Sequence, residues 1–193
     1  YNKYRPHLLK EVVGQDHIKK TLENTVAQDK VGHAYLFSGP RGTGKTTLAR
    51  ILACIVNCEN GPSTDYDITS GICKKIIDQS CPDIHEIDAA SQKTIENVRE
   101  IRQAAMLNPM QCAKRVFIID EAHCWRQEAA SVLLKTLEEP PSSSIFILAT
   151  TNPQKIIPTI KSRCQRFELR RLKIQQMVDR MSEICKLEGV EVV

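Results

Sequence analysis

Residues 37–47 read FSGPRGTGKTT, and the fold is decided there. Gly39, Gly44, Lys45 and Thr46 fill the fixed positions of the phosphate-binding loop pattern G-x-x-x-x-G-K-[ST], with Pro40, Arg41, Gly42 and Thr43 between them and Thr47 after. The apolar run 34–37 predicts a strand feeding the loop, and Leu48, Ile51, Leu52 and Ile55 at helical spacing predict a helix leaving it over 46–56. The glycines let backbone N–H groups wrap a phosphate chain, and the helix start adds partial positive charge. Lys45 is then expected to reach the β- and γ-phosphates of ATP, and the Thr46 hydroxyl to hold Mg2+.

Outward from the loop the pattern is strand and helix in alternation. Upstream, 1–15 reads as an extended segment with Pro6 constraining Arg5, and 16–30 as a helix with Ile18, Leu22 and Val26 on one face. Downstream, 57–83 breaks the pattern with Gly, Pro, Ser, Asp and three cysteines, and carries one short helical turn near 74–78. Strands are predicted at 84–87, 115–119, 145–149 and 165–169. Helices are predicted at 94–105, with Ser91 as N-cap, and at 126–138, 158–163 and 174–187. The run Val116, Phe117, Ile118, Ile119 does not alternate, which indicates a strand buried on both faces, as in parallel sheets. The expected architecture is a parallel β-sheet flanked by helices, with the ligand beyond the carboxyl ends of the strands.

That rule brings Asp120, Glu121 and Thr151 to the loop. Asp120 is expected to bind magnesium, Glu121 to orient and activate the attacking water, and Thr151 to hydrogen-bond the γ-phosphate or that water. Arg163, in Ser162-Arg163-Cys164, is a candidate for stabilising the phosphoryl group of a neighbouring subunit's site.

The chain has 193 residues, 41% of them hydrophobic, enough for one domain with a small appendage. Its net charge of +4 is compatible with a nucleic-acid partner without requiring one. No stretch approaches the roughly 18 apolar residues of a membrane span and the start is not a secretory signal, so a cytoplasmic location with no membrane partner is expected. The eight cysteines are then expected to be reduced thiols or metal ligands. Lys93 and Arg126 open helices and are candidates for shape-based contact with DNA phosphates. No base-stacking platform is visible, and no second carboxylate cluster supplies polymerase chemistry.

Taken together, KYRP at 3–6, VVGQ-x-H at 12–17, the loop, EIDAAS at 86–91, Asp120-Glu121, LLKTLEEPP at 133–141, LATTNPQKI-x-PTI at 148–160 and SRCQRF at 162–167 resemble the γ/τ subunits of bacterial DNA polymerase III clamp loaders. Small subunits of replication factor C share much of this pattern. The resemblance implies an AAA+ P-loop ATPase acting in a ring-like pentamer with other clamp-loader subunits, the sliding clamp and primer-template DNA. It implies an AAA+ domain over 1–170, including an insert at 57–83, and the start of a helical lid over 171–193. By position it makes Lys45 and Thr46 the Walker A residues, Asp120 and Glu121 the Walker B pair, Thr151 sensor 1 and Arg163 the arginine finger, and it sets Tyr4, Val12 and Val13 near the adenine.

In the family the insert holds zinc with four cysteines. Counting back from EIDAAS, those positions are Cys58, Asp67, Ser70 and Cys73, so two ligands differ; either Cys81 or Asp67 stands in for Zn2+ binding, or the site is degraded and holds no metal. The lid's sensor-2 arginine and the oligomerising domain do not fit before Val193, so either a fragment or a divergent version from a bacterium or phage is anticipated, expected as it stands to assemble poorly and hydrolyse ATP slowly. The alternatives are a non-hydrolysing scaffold subunit of the same machine and another AAA+ DNA remodeller such as a branch-migration helicase.

Overall fold

A computed structural model describes residues 3–190. The first two and last three positions of the predicted N-terminal segment and lid therefore lie outside the described residues. Five strands form one parallel sheet: β1 (Ala34–Ser38), β2 (Ile84–Asp88), β3 (Arg115–Asp120), β4 (Ser144–Thr150) and β5 (Gln165–Glu168), in the order β2-β3-β4-β1-β5. Strands β3 and β4 are buried along nearly their whole length, as their unbroken apolar runs require.

Helices cover both faces. On one, α1 (Asp16–Ala27), α2 (Lys45–Val56) and α3 (Gly71–Ile77) pack Ile18, Leu22, Leu48, Leu52, Cys73 and Ile76 against Tyr35, Phe37, Ile118 and Ile147. On the other, α4 (Ile95–Ala105), α5 (Gln127–Glu138) and α6 (Pro158–Arg163) pack Val98, Ile101, Leu133, Leu137 and Ile160 against Leu36, Phe117, Phe146 and Leu148. Alternate residues of each strand serve opposite faces, the period-2 geometry that makes a one-residue register slip intolerable. The last helix, α7 (Ile174–Leu187), has no buried residue.

Several local expectations need correction. The 1–15 segment is not extended throughout, because residues 9–11 form a 3-10 turn that buries Leu9, with the Glu11 carboxylate accepting the amides of His7 and Leu8. The N-cap of α4 is Thr94, whose hydroxyl accepts the Asn97 amide, whereas Ser91 closes a turn by donating to the Asp88 carbonyl. In the insert, helix α3 begins at Gly71, earlier than the turn expected from composition, because Cys73 and Ile76 are drawn into the core beside α2.

Two buried polar devices brace the two ends of the sheet. Asp83, with no solvent exposure, accepts the amides of Met110, Gln111 and Cys112 and pairs with Arg115 at 3.3 Å. Gln15 clasps the backbone of Arg170, donating to its carbonyl and accepting its amide, which ties the N-terminal segment to the connector that leads into α7.

Candidate nucleotide site

The loop after β1 sits at the carboxyl end of a strand flanked by β4 and β5. Gly39 donates its amide to the Thr150 carbonyl, and Leu169 donates its own to Ser38, so both neighbouring strands frame the loop. A Cβ on Gly39 would lie 2.4 Å from the Leu169 carbonyl oxygen, so only glycine fits. Gly42 and Gly44 differ, having φ of 79° and 97° with no atom within 4 Å of a would-be Cβ. Their left-handed backbone leaves an open concavity at the start of α2, the geometry of an anion cradle. Thr43 ties the loop by donating to the Pro40 carbonyl, and Arg41 lines the cleft.

Lys45 is 6% exposed, and its ammonium spans the loop by donating to the Gly39 and Pro40 carbonyls, both at 2.9 Å. Burial lowers its pKa, while the Glu121 and Asp120 carboxylates act in the opposite direction. A buried cation among two carbonyls is well disposed to exchange them for phosphate oxygens.

The carboxylates expected at the strand ends are assembled. Thr46 Oγ1 donates to Asp120 Oδ2 at 2.8 Å. A hydroxyl and a carboxylate side by side form an all-oxygen donor set that fits a hard divalent cation. Glu121 adopts the left-handed region at φ 47°, an uncommon conformation for a residue with a side chain, and donates its amide to Asp120 Oδ1. Its Oε2 accepts the Thr151 hydroxyl at 2.9 Å and the Thr151 amide at 3.3 Å.

Lys45, Thr46, Asp120 and Glu121 line a cleft of about 710 Å³ together with Tyr4, Arg5, Thr47, Asp88, Ala90 and Ile184, a volume suited to a small ligand such as a nucleotide. Thr151 lies outside the lining, behind Glu121. Tyr4 stands at the rim, bonded to Glu188, and Arg5 Nε donates to Thr47 Oγ1 at 3.1 Å. The backbone of Tyr4 also accepts from Arg180 of α7. Val12 and Val13 are not among the cleft-lining residues: Val12 is buried in the core, and its carbonyl accepts from Lys19.

Sequence reasoning missed Asp88, His123 and Ile184. Asp88 ends β2 in register with Asp120, so the strand-end rule that found Asp120 could have found it. His123 follows the Asp-Glu pair by two residues and lies 3.3 Å from Glu121 Oε2. Nothing local in the sequence marks Ile184.

Other candidates lie elsewhere. Arg163 lines a separate hollow with His33, Leu137, Glu138 and Glu139, and its guanidinium is held by Glu138 at 2.6 Å. Lys93 and Arg126 are both exposed, beside the starts of α4 and α5, and the Trp125 indole links those starts by donating to the Gln92 carbonyl at 2.7 Å.

The zinc set expected from Cys58, Cys73 and Cys81 is not assembled. Cys58 and Cys73 are buried near Cys54, and burial pushes the Cys58 thiol up to about 11. Cys81 instead meets Cys112 at 3.3 Å. Among the described residues, the one trio of potential metal ligands is Cys81, Asp83 and Cys112, and there Asp83 is already engaged by three amides and Arg115. The physical reason is that Cys81 stands at the end of the insert beside Asp83, whose carboxylate draws in the 110–112 loop through its amides, a long-range pairing that cysteine spacing does not encode.

The fold and this site define an AAA+ P-loop NTPase. The chain belongs to the family described as DNA polymerase III, delta subunit, whose model matches residues 14–173. It is 49% identical over 192 residues to the DNA polymerase III subunit tau of Bacillus subtilis, covering all of this chain and 34% of that protein. It is 44% identical over 197 residues to the gamma/tau subunit of Mycobacterium tuberculosis, again covering all of this chain and 34% of that one. The tau subunit of Escherichia coli is 40% identical over 188 residues, covering 97% and 29%. The chain thus spans about a third of the length of these curated relatives. Among solved structures, the Thermotoga maritima RuvB Holliday junction branch migration motor superposes with TM-score 0.68 at 24% identity, over 98% of this chain and 56% of that one. A gamma subunit-related protein from the same organism superposes at 0.60 and 22% identity, over 85% and 49%. Likenesses at these identities speak to the fold alone.

Proposed function

We propose that the chain is the ATP-binding and hydrolysing motor portion of a γ/τ-type subunit of the DNA polymerase III clamp loader. In this reading it acts in the cytoplasm with other clamp-loader subunits in a ring-like pentamer, placing the sliding clamp on primer-template DNA. The observation that carries the proposal is the joining of Thr46 to Asp120 in one cleft with Lys45 and Glu121, the last held from behind by Thr151. The relatives at 40–49% identity bear the names of polymerase III subunits.

In this reading Lys45 gives up the two loop carbonyls to bind the β- and γ-phosphates, and the amides of residues 39–47 cradle the chain. Thr46 and Asp120 are the residues that would hold magnesium, which when bound neutralises charge on the phosphate oxygens. Glu121 accepts a hydrogen bond from the attacking water, and Thr151 fixes the carboxylate that does so. Arg163, in a hollow that shares no residue with the cleft, serves the site of an adjoining subunit, which implies head-to-tail packing. Tyr4 and Ile184 border the adenine. Lys93 and Arg126 follow DNA phosphates without reading bases. We assign 1–170 to the AAA+ domain, with the insert at 57–83, and 171–193 to the start of the lid.

A scaffold subunit without hydrolysis has no use for the assembled Lys45, Glu121 and Thr151, and the likeness to the branch migration motor extends to the fold alone. The test is ATP turnover by the full-length chain, alone and assembled with its partner subunits, clamp and primer-template DNA. Low turnover alone and strong stimulation on assembly are expected. Equal rates in both states, or no nucleotide retained with magnesium present, overturn the proposal.

A further inference from the structure

We infer that His123 is a positioning residue for the Glu121 carboxylate, fixing which of its two oxygens is presented to the water. The inference rests on the reading of Glu121 given above and deepens it.

Two donors, both from Thr151, hold a single oxygen of Glu121, and the His123 ring lies against the same oxygen. Oε2 accepts the Thr151 hydroxyl at 2.9 Å and the Thr151 amide at 3.3 Å, and His123 Nδ1 lies 3.3 Å from it. Among the described residues none bonds Oε1. The carboxylate is therefore held by one oxygen and offers the other. A carboxylate that rotated freely would present either oxygen and lose part of its aim at each turnover.

The imidazole is itself held. Its Nδ1 lies 3.0 Å from the hydroxyl of Thr150, a residue with no solvent exposure, and that hydroxyl accepts the Asn152 amide at 3.0 Å. A carboxylate oxygen facing Nδ1 can only accept, which places the proton on that nitrogen, and the Thr150 hydroxyl takes the hydrogen bond at 3.0 Å. On the far side of the ring, Nε2 faces the Cys124 thiol at 3.8 Å, a donor suited to the remaining lone pair.

The backbone explains how His123 returns to a residue only two positions earlier. Glu121 turns the chain through φ 47°, and residues 122–124 wind into a 3-10 turn closed by the Cys124 amide on the Glu121 carbonyl. The Trp125 indole then anchors the end of that turn on Gln92. The left-handed residue thus sits at the turn that brings the His123 ring back against the Glu121 carboxylate.

The experiment uses the full-length chain in its assembled complex, with ATP affinity, turnover number and melting temperature measured for each variant. His123→Gln carries its amide nitrogen at the Nε2 position, whereas His123→Asn carries it at the Nδ1 position. The expected result is that His123→Gln lowers turnover about tenfold or more, the scale seen when groups supporting a reacting residue are removed, while ATP affinity and melting temperature hold. His123→Asn should recover most of the rate. Thr150→Val, which deletes the hydroxyl that aims the ring, should show the same turnover-only loss and serves if His123→Gln does not fold. Equal turnover in the Asn and Gln variants overturns the inference, whether both are active or both impaired. Glu121→Gln separates the two levels: if it is inactive while the His123 variants match the parent, only this inference fails, and if it hydrolyses normally, the reading of Glu121 fails first.

Discussion

The hydroxyl of Thr46 and the carboxylate of Asp120, 74 residues apart in the chain, are joined at 2.8 Å, so the start of α2 and the end of β3 form one oxygen-lined corner. The corner exists because a parallel sheet brings every strand's carboxyl end to the same side. Thr46→Val should abolish the part of ATP affinity that depends on magnesium and leave the magnesium-independent part. Titration of a nucleotide with and without the metal checks this. An unchanged metal dependence would remove Thr46 and Asp120 from the site.

Lys45 separates folding from binding. Its ammonium is buried, and burial lowers its pKa, so the fold bears a desolvation cost for it. Lys45→Met should therefore melt no lower than the parent while losing retention of ATP. A large drop in melting temperature together with intact binding would contradict the assignment.

Arg163 and Glu138 form a surface pair, with side chains 34% and 42% exposed, a kind of contact that contributes about 0–1 kcal/mol. Arg163→Ala should leave the subunit's stability and ATP binding nearly unchanged. In the assembled complex it should cut hydrolysis by a factor on the order of 10³ or more. Normal turnover in the assembled variant would rule out a role on a neighbour's nucleotide.

Asp83 makes stability pH-dependent on the acid side. Burial alone would raise its pKa, but the amides of Met110, Gln111 and Cys112 and the Arg115 guanidinium outweigh it and hold the carboxyl below its usual value. A group with a depressed folded-state pKa stabilises the fold above its unfolded pKa, and this contribution is lost as pH falls through the folded value. Melting temperature should drop as pH falls below about 4. Asp83→Ala should cost about 3–5 kcal/mol at neutral pH because Arg115 is left buried without its partner. A variant as stable as the parent in a denaturant titration would refute this account.

How far the sequence could be read depended on the range of each interaction. The loop, its flanking strand and helix, and the Asp120-Glu121 pair are encoded by neighbours a few residues apart, and the structure reproduces them. The sheet's strands were legible because Val116–Ile119 and Ile145–Ala149 are apolar without alternation. What was not legible depends on distant partners. Ser91 and Thr94 are equally good caps by composition, and the choice falls to Thr94 because Ser91 is taken up in the turn after Asp88. Cys81 meets Cys112 where Asp83, just before β2, holds the 110–112 loop, which no spacing rule anticipates. Ile184 reaches the cleft only because Arg180 and Glu188 bind α7 to Lys3 and Tyr4.

The missing side chain of Gly39 has a mechanical meaning. With the Leu169 carbonyl filling the space a Cβ would need, the head of the loop and the exit of β5 are in direct backbone contact. Gln15 grips Arg170, the very next residue. If the cradle takes nucleotide as proposed, the loop that holds it is packed directly against the connector that bears α7, and the exposed Ile174, Met177, Val178 and Met181 edge lies at the end of that connector.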